Sequence, residues 1–135
     1  MNTVCFDAFA LGNQEFDDGD AGLAKFLDHL RTEQCATPVL AANVKPEVGK
    51  SALAKQSSSD YLQGSVVLER GGQKIGVVGI DIANKTKNSS NPDASTQFLD
   101  ETTSAQAEID KLVAAGVREI VLLTHYQYKN DLKLA

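Results

Sequence analysis

This 135-residue sequence has no run of basic residues and no apolar stretch of membrane-spanning length. The first absence, with a net charge of −5, argues against nucleic acid and anionic membrane surfaces as partners. The second argues against a transmembrane helix. The opening Met1-Asn2-Thr3-Val4-Cys5-Phe6-Asp7 has neither a basic start nor a long apolar run, so it does not read as a signal peptide. Cysteine is scarce: Cys5 and Cys35 are the only two, and their spacing matches no zinc motif. Both have apolar neighbours in sequence and read as free buried thiols, with a disulfide as the alternative. Histidine is limited to His29 and His125. A chain of this size has room for one domain with a modest core.

What is present follows an alternating order. Asn2 to Ala8 is a short apolar-rich opening, and Phe6, Ala8, Ala10 and Leu11 then run as a buried strand into a loop at Gly12-Asn13. Asp17-Asp18-Gly19-Asp20 supplies a turn and helix N-cap candidates. From Ala21 the spacing of Leu23, Phe26, Leu27 and Leu30 predicts a helix with one apolar face, ending by Cys35 to Thr37 ahead of Pro38. Pro38 to Val44 reads as a second buried strand, and the serine-rich Lys45 to Tyr61 as a surface excursion. Ser65–Arg70 and Gln73–Ile80 flank Gly71-Gly72 as a hairpin. Asn84 to Gln97 reads as a long polar loop. Glu101 to Ala115 predicts a helix with Ala105, Ile109, Leu112 and Val113 inward, stopped by Gly116. Glu119 to Leu123 is the last strand and delivers Thr124-His125. This order predicts an α/β layered sheet.

Ligands of such sheets bind beyond the carboxyl ends of strands, where both Asn13 and His125 fall. An amide oxygen and an imidazole nitrogen suit a divalent ion such as Zn or Mn. Taken alone, His125 reads rather as a satisfied histidine at a strand end, and Asn13 as a loop residue following Gly12; the residues around Asn13 change both readings. A catalytic metal requires at least three protein ligands and an open position.

Leu11-Gly12-Asn13-Gln14-Glu15-Phe16-Asp17-Asp18-Gly19 resembles an active-site loop of the calcineurin-like metallophosphoesterases, specifically their 5′-nucleotidase branch. Asp7-Ala8-Phe9-Ala10, Ala41-Ala42-Asn43 and Leu122-Leu123-Thr124-His125 with Tyr126 to Asp131 resemble further family blocks, in order, across the whole chain. The resemblance is strongest to bacterial nucleotidases acting on nucleotides, NAD or UDP-sugars. It implies part of a four-layer α/β/β/α sandwich carrying a dinuclear site of divalent metals, Zn, Mn or similar. Two ions in such a site clamp the phosphate and activate water. Carried over by position, Asn13 and His125 resemble ligands of one ion. Asp17 resembles an aspartate that orients a catalytic histidine. The histidine's own position holds Gln14. Glu15 reads as structural. Family members are usually periplasmic or extracellular.

The family's opening Asp-x-His block, its bridging aspartate and its closing Gly-His-x-His block are not found in these residues. Residues 1–135 therefore resemble a single partial catalytic domain. Gln14 cannot change protonation state near neutral pH, although it can donate a hydrogen bond. The expectation is a nucleotide phosphoester hydrolase scaffold with negligible turnover by this chain alone. The alternative is a non-catalytic nucleotide- or protein-binding module on the same scaffold. A further reading has the site completed by another chain or by a homo-oligomer, since a half-sheet exposes edges. His29, beside Leu30 on the first helix, fits neither missing role and reads as a surface or boundary residue.

Overall fold

In a computed structural model describing residues 4–135, the chain begins with β1 (Phe9–Ala10), a 3₁₀ turn (Asn13–Phe16) and α1 (Gly19–Leu30). It continues through β2 (Val39–Leu40), β3 (Val44–Pro46), β4 (Ser65–Arg70), β5 (Gln73–Asp81) and α2 (Ala83–Ser89). β6 (Thr96–Phe98), α3 (Glu101–Ala114), β7 (Glu119–His125) and α4 (Tyr128–Leu134) complete it. The start of the opening segment, Asn2-Thr3, and the first residues of the leader reading lie outside the described residues.

The hairpin forms as the sequence predicts. Gly71 and Gly72 turn with φ of 57° and 80°, a twist that favours glycine at both turn positions. β4 then runs antiparallel to β5, with Ser65 opposite Val78 and Arg70 opposite Gln73. β7 adds parallel on the other side of β5, with Ile75 opposite Glu119 and Asp81 opposite His125. β1 pairs parallel with β2, and β3 antiparallel with β6. These short pairs are tied to the main sheet through backbone bonds such as Ala42 N–H to Gly79 O, 2.8 Å.

Two apolar clusters carry the packing. Val78 and Ile80 of β5 meet Ala105 and Leu112 of α3 and Val117 in one of them. Burial of each such aliphatic side chain stabilises by about 1.5–3 kcal/mol. The Ser65 hydroxyl donates to Glu108 Oε2 at 2.7 Å and joins β4 to the same helix. The other cluster gathers Leu11, Phe16, Leu23, Leu27, Leu30, Val39, Leu53 and Phe98. Phe16 and Phe98 meet edge to face, their ring centroids 5.2 Å apart.

Several elements differ from the sequence reading. α1 ends at Leu30, and Arg31 and Ala36 form a bridge rather than a further helical turn. Phe26 is 39 % exposed and Val113 57 % exposed, so neither belongs to its helix's inner face. Phe26 instead offers a ring edge to Phe9. Lys45 to Tyr61 is not simply a surface excursion, because Ser51, Leu53 and Ala54 are buried within it. The expected polar loop from Asn84 to Gln97 contains most of α2 and the start of β6. Asp20, an N-cap candidate, is instead fully buried, with its carboxylate accepting from the hydroxyls of Ser51 and Thr96 and from Asp93 N–H.

The cysteine reading is overturned. Cys5 and Cys35 form a disulfide, and Cys5 is exposed rather than buried. The bridge tethers the segment before β1 to the turn before β2. Pairing of those two strands brings the ends together, which spacing in sequence alone does not reveal.

Candidate active site

The turn after β1 is built by its own side chains. Glu15 Oε2 accepts the Gly12 N–H at 2.8 Å, closing the 3₁₀ turn. Phe16 anchors the turn in the core with none of its surface exposed. A side chain at position 12 would collide with the imidazole: an ideal Cβ there lies 2.7 Å from His125 Cγ and 2.8 Å from its Cδ2. Gly12 therefore permits the loop to lie directly against the end of β7.

This contact joins the two candidate ligands. Asn13 Oδ1 lies 3.1 Å from His125 Nε2, although the residues are 112 positions apart in sequence. Asn13 is buried, and its Nδ2 donates to Ser90 Oγ at 3.4 Å. His125 is more open to solvent. Its neighbour Thr124 donates to Asp131 Oδ1 at 2.8 Å, which fixes α4 against the strand end. A cleft of about 490 Å³ opens between α2 and the residues that follow His125, lined by Asn84, Lys85, Asn88, Glu101, Tyr126 and Asn130, among others.

Gln14 and Asp17 are not gathered with that pair. Both are exposed, and their side chains form no hydrogen bond among the described residues. Gln14 lines a separate cavity of about 250 Å³ with Glu15, Asp18 and Phe26. Asp17 takes part through its backbone: its N–H donates to Gln14 O at 3.1 Å, and its carbonyl accepts from Asn91 Nδ2 at 2.9 Å. His29 is exposed on α1 and bonds the Lys25 carbonyl through Nδ1 at 2.7 Å.

Asp81 is the residue that sequence reasoning missed. It ends β5 opposite His125, is fully buried, and among the described residues leaves Oδ1 without a hydrogen bond. Its Oδ2 accepts from Thr86 Oγ1 at 2.6 Å. Burial pushes its pKa up to about 6, against the Thr86 and Ile82 hydrogen bonds and the nearby His125 charge, which pull it down. The signal was a lone carboxylate closing the apolar run Ile75–Ile80, at the strand end where sites form.

Asn13 Oδ1 and His125 Nε2, 3.1 Å apart, are atoms of the kinds that a divalent ion takes as ligands. Among the described residues no cluster of three or more His, Cys, Asp or Glu side chains gathers to complete such a shell. No helix among them is long and apolar enough to cross a membrane.

No protein-family model matches the chain. Individual relatives do. The chain is 36 % identical over all 135 residues to a probable 5′-nucleotidase of Treponema pallidum, covering 21 % of that protein. The solved NAD nucleotidase of Haemophilus influenzae superposes on 96 % of the chain with a TM-score of 0.81 and 35 % identity, over 21 % of its own length. A calcineurin-like phosphoesterase of Bacillus subtilis matches 93 % of the chain with a TM-score of 0.67 and 26 % identity, over 36 % of its length. These likenesses, on top of the strand-end site, define the class as a calcineurin-like phosphoesterase α/β sandwich. Within that class the curated relatives that the chain matches are named 5′-nucleotidase or NAD 5′-nucleotidase. It spans about a fifth of the length of the curated relatives it matches.

Proposed function

We propose that residues 1–135 are one partial catalytic domain of a metal-dependent hydrolase of nucleotide phosphoesters, with negligible turnover by this chain alone. The observation that carries the reading is the Asn13 Oδ1 to His125 Nε2 contact of 3.1 Å, made by the two residues that the family resemblance assigns to one ion. The relatives named 5′-nucleotidase and NAD nucleotidase support a nucleotide as the substrate. The cleft lined by Tyr126, the residue after His125, is of a size to admit part of such a molecule.

Asn13 and His125 would hold the ion, and the ion when bound would supply Lewis acidity and an acidified water. Gly12 lets the ring approach the loop closely. Gln14 stands where the resemblance has a histidine. It can donate a hydrogen bond to a phosphate oxygen, but it cannot pass a proton to a leaving group. Loss of that help typically costs roughly a hundredfold to ten-thousandfold in rate. Asp17, exposed and without a side-chain partner, then has no imidazole to orient.

The disulfide supports an oxidising compartment, in keeping with the exported habit of the family.

The test combines elemental analysis of the purified 135-residue chain, dialysed against Mn or Zn, with phosphate release from AMP. Near-zero metal and no release are expected for wild type and for Gln14→His alike. Tightly held metal with brisk AMP hydrolysis would overturn the proposal. A nucleotide that binds without turnover would favour the binding-module reading.

A further inference from the structure

Asp81 belongs to neither the family loop nor the expected site, yet it ends β5 directly across the ladder from His125. Paired residues on adjacent parallel strands project to the same face, about 4.8 Å apart. β5 bears this out: Gly79, two residues earlier, faces Leu40, while Val78 and Ile80 face α3 on the opposite side. Asp81 and His125 therefore share the face that carries Asn13.

Each has one unmet hydrogen-bonding atom there. Asp81 Oδ1 is buried and unpartnered. On His125, Nε2 faces Asn13 and the Cγ–Cδ2 edge faces Gly12. Its Nδ1 has no hydrogen bond among the described residues. A buried carboxylate oxygen without a donor is costly, so a nearby N–H has a strong claim on it.

The Asn13 side cannot decide which ring nitrogen carries the proton. Its amide can present either oxygen or nitrogen to Nε2, and Ser90 Oγ on its other side can donate or accept. An ionised Asp81 can only accept. We propose that Asp81 is a positioning residue: its Oδ1, which has no partner among the described residues, takes up the Nδ1–H of His125 in solution, holding Nε2 unprotonated and turned toward the metal position beside Asn13. This is the arrangement by which a carboxylate behind a metal-binding histidine fixes its tautomer. The proposal rests on the reading of His125 as a metal ligand.

The thermodynamic support around Asp81 suits that task. Its other oxygen is engaged by Thr86 Oγ1, which also lies 2.7 Å from the Ile82 carbonyl. Its backbone is held at both ends by Asn43. A carboxylate so fixed can hold a ring in one orientation.

Long-range ¹H–¹⁵N correlation spectra of the metal-free chain at alkaline pH report the tautomer of the neutral ring directly. Wild type is expected to carry the neutral-ring proton on Nδ1. Asp81→Ala should move it to Nε2. Asp81→Asn keeps an acceptor oxygen, with its NH₂ turned to Thr86, and should retain the Nδ1–H form. A wild-type ring protonated on Nε2 would overturn the proposal even if no variant folds. So would an unchanged tautomer in a folded Asp81→Ala chain. Zinc added in large excess, where even a two-ligand site too weak to survive dialysis is occupied, and followed by the same Nε2 signal, separates the two readings. An Nδ1–H ring whose Nε2 ignores zinc supports the positioning contact while removing the metal-ligand role.

Discussion

The side chain of Asn43 grips the backbone of Asp81 from both sides. Its Nδ2 donates to the Asp81 carbonyl at 2.9 Å, and its Oδ1 accepts the Asp81 N–H at 3.0 Å. Asn43 has no exposed surface, and the same Nδ2 also reaches the Leu99 carbonyl at 3.3 Å. One amide thus locks the end of β5, where the site begins, to the segment leading into α3. Replacement by alanine strands two buried backbone groups at once. Asn43→Ala should cost about 3 kcal/mol in urea unfolding. Asn43→Asp should cost at least as much, because its carboxylate cannot donate to either carbonyl. Equal stability of Asn43→Ala and wild type would show that water replaces the amide.

The disulfide makes a prediction of its own. Cys5 and Cys35 are 30 residues apart, and α1 lies inside the loop they close. Chain-entropy reasoning gives such a loop about 3.6 kcal/mol of stabilisation. Reduction, or the Cys5→Ser/Cys35→Ser pair, should lower stability by that order while leaving β5 and β7 intact. Amide exchange should speed up first near β1 and β2. A reduced chain with an unchanged melting temperature would show that the bridge only decorates a turn already fixed by Phe9 N–H to Pro38 O.

How far the sequence exposed this fold depends on what each element uses for stability. α1, α3 and the β4–β5 hairpin were legible because apolar spacing and paired glycines leave strong local signals. α2 was not, since Ala83–Ser89 is polar and buries only Ala83 and Thr86. β6 is three residues with only Thr96 and Phe98 turned inward, too short for alternation to register. Burial of Leu53 in the cluster that also holds Leu23 and Leu27 is a purely tertiary matter. In the site, the strand-end positions of Asn13 and His125 could be inferred, but their contact depends on Gly12 approaching a ring 113 residues later. Asp81 was missed because a single aspartate at the end of an apolar strand looks like an ordinary strand terminator. Only its burial and its place opposite His125 reveal otherwise.

Asp81 should also shape the acid side of the stability curve of the metal-free chain. Its folded-state pKa of about 6 lies above the ordinary value of 3.8. Between those values the folded chain binds more protons at this position than the unfolded chain does. Its contribution is therefore full below about pH 4 and is lost as pH rises through 6. The total swing is about 3 kcal/mol at most. Asp81→Asn removes the titration, so the difference in unfolding free energy between variant and wild type should move in the variant's favour from pH 4 to pH 7. A difference that stays flat over that range would mean that Asp81 is already ionised in the folded chain at pH 4.

Gly12 offers the sharpest test of the loop against the ring. A methyl group there meets His125 Cγ and Cδ2 below 3 Å, and lies 3.0 Å from Glu15 Oε2. Position 12 has φ of −118° and ψ of −176°, an extended conformation that alanine adopts freely, so any penalty comes from the collision and not from backbone strain. Gly12→Ala should destabilise by about 1–3 kcal/mol, the usual cost of overpacking. It should also drive the imidazole away from Asn13 Oδ1. Thermal unfolding in a double-mutant cycle assigns the cause. In a His125→Ala background most of the Gly12→Ala penalty should vanish, because the ring it strikes is gone. A penalty that persists unchanged would place the clash at Glu15 instead and would leave the Asn13–His125 pair independent of the glycine.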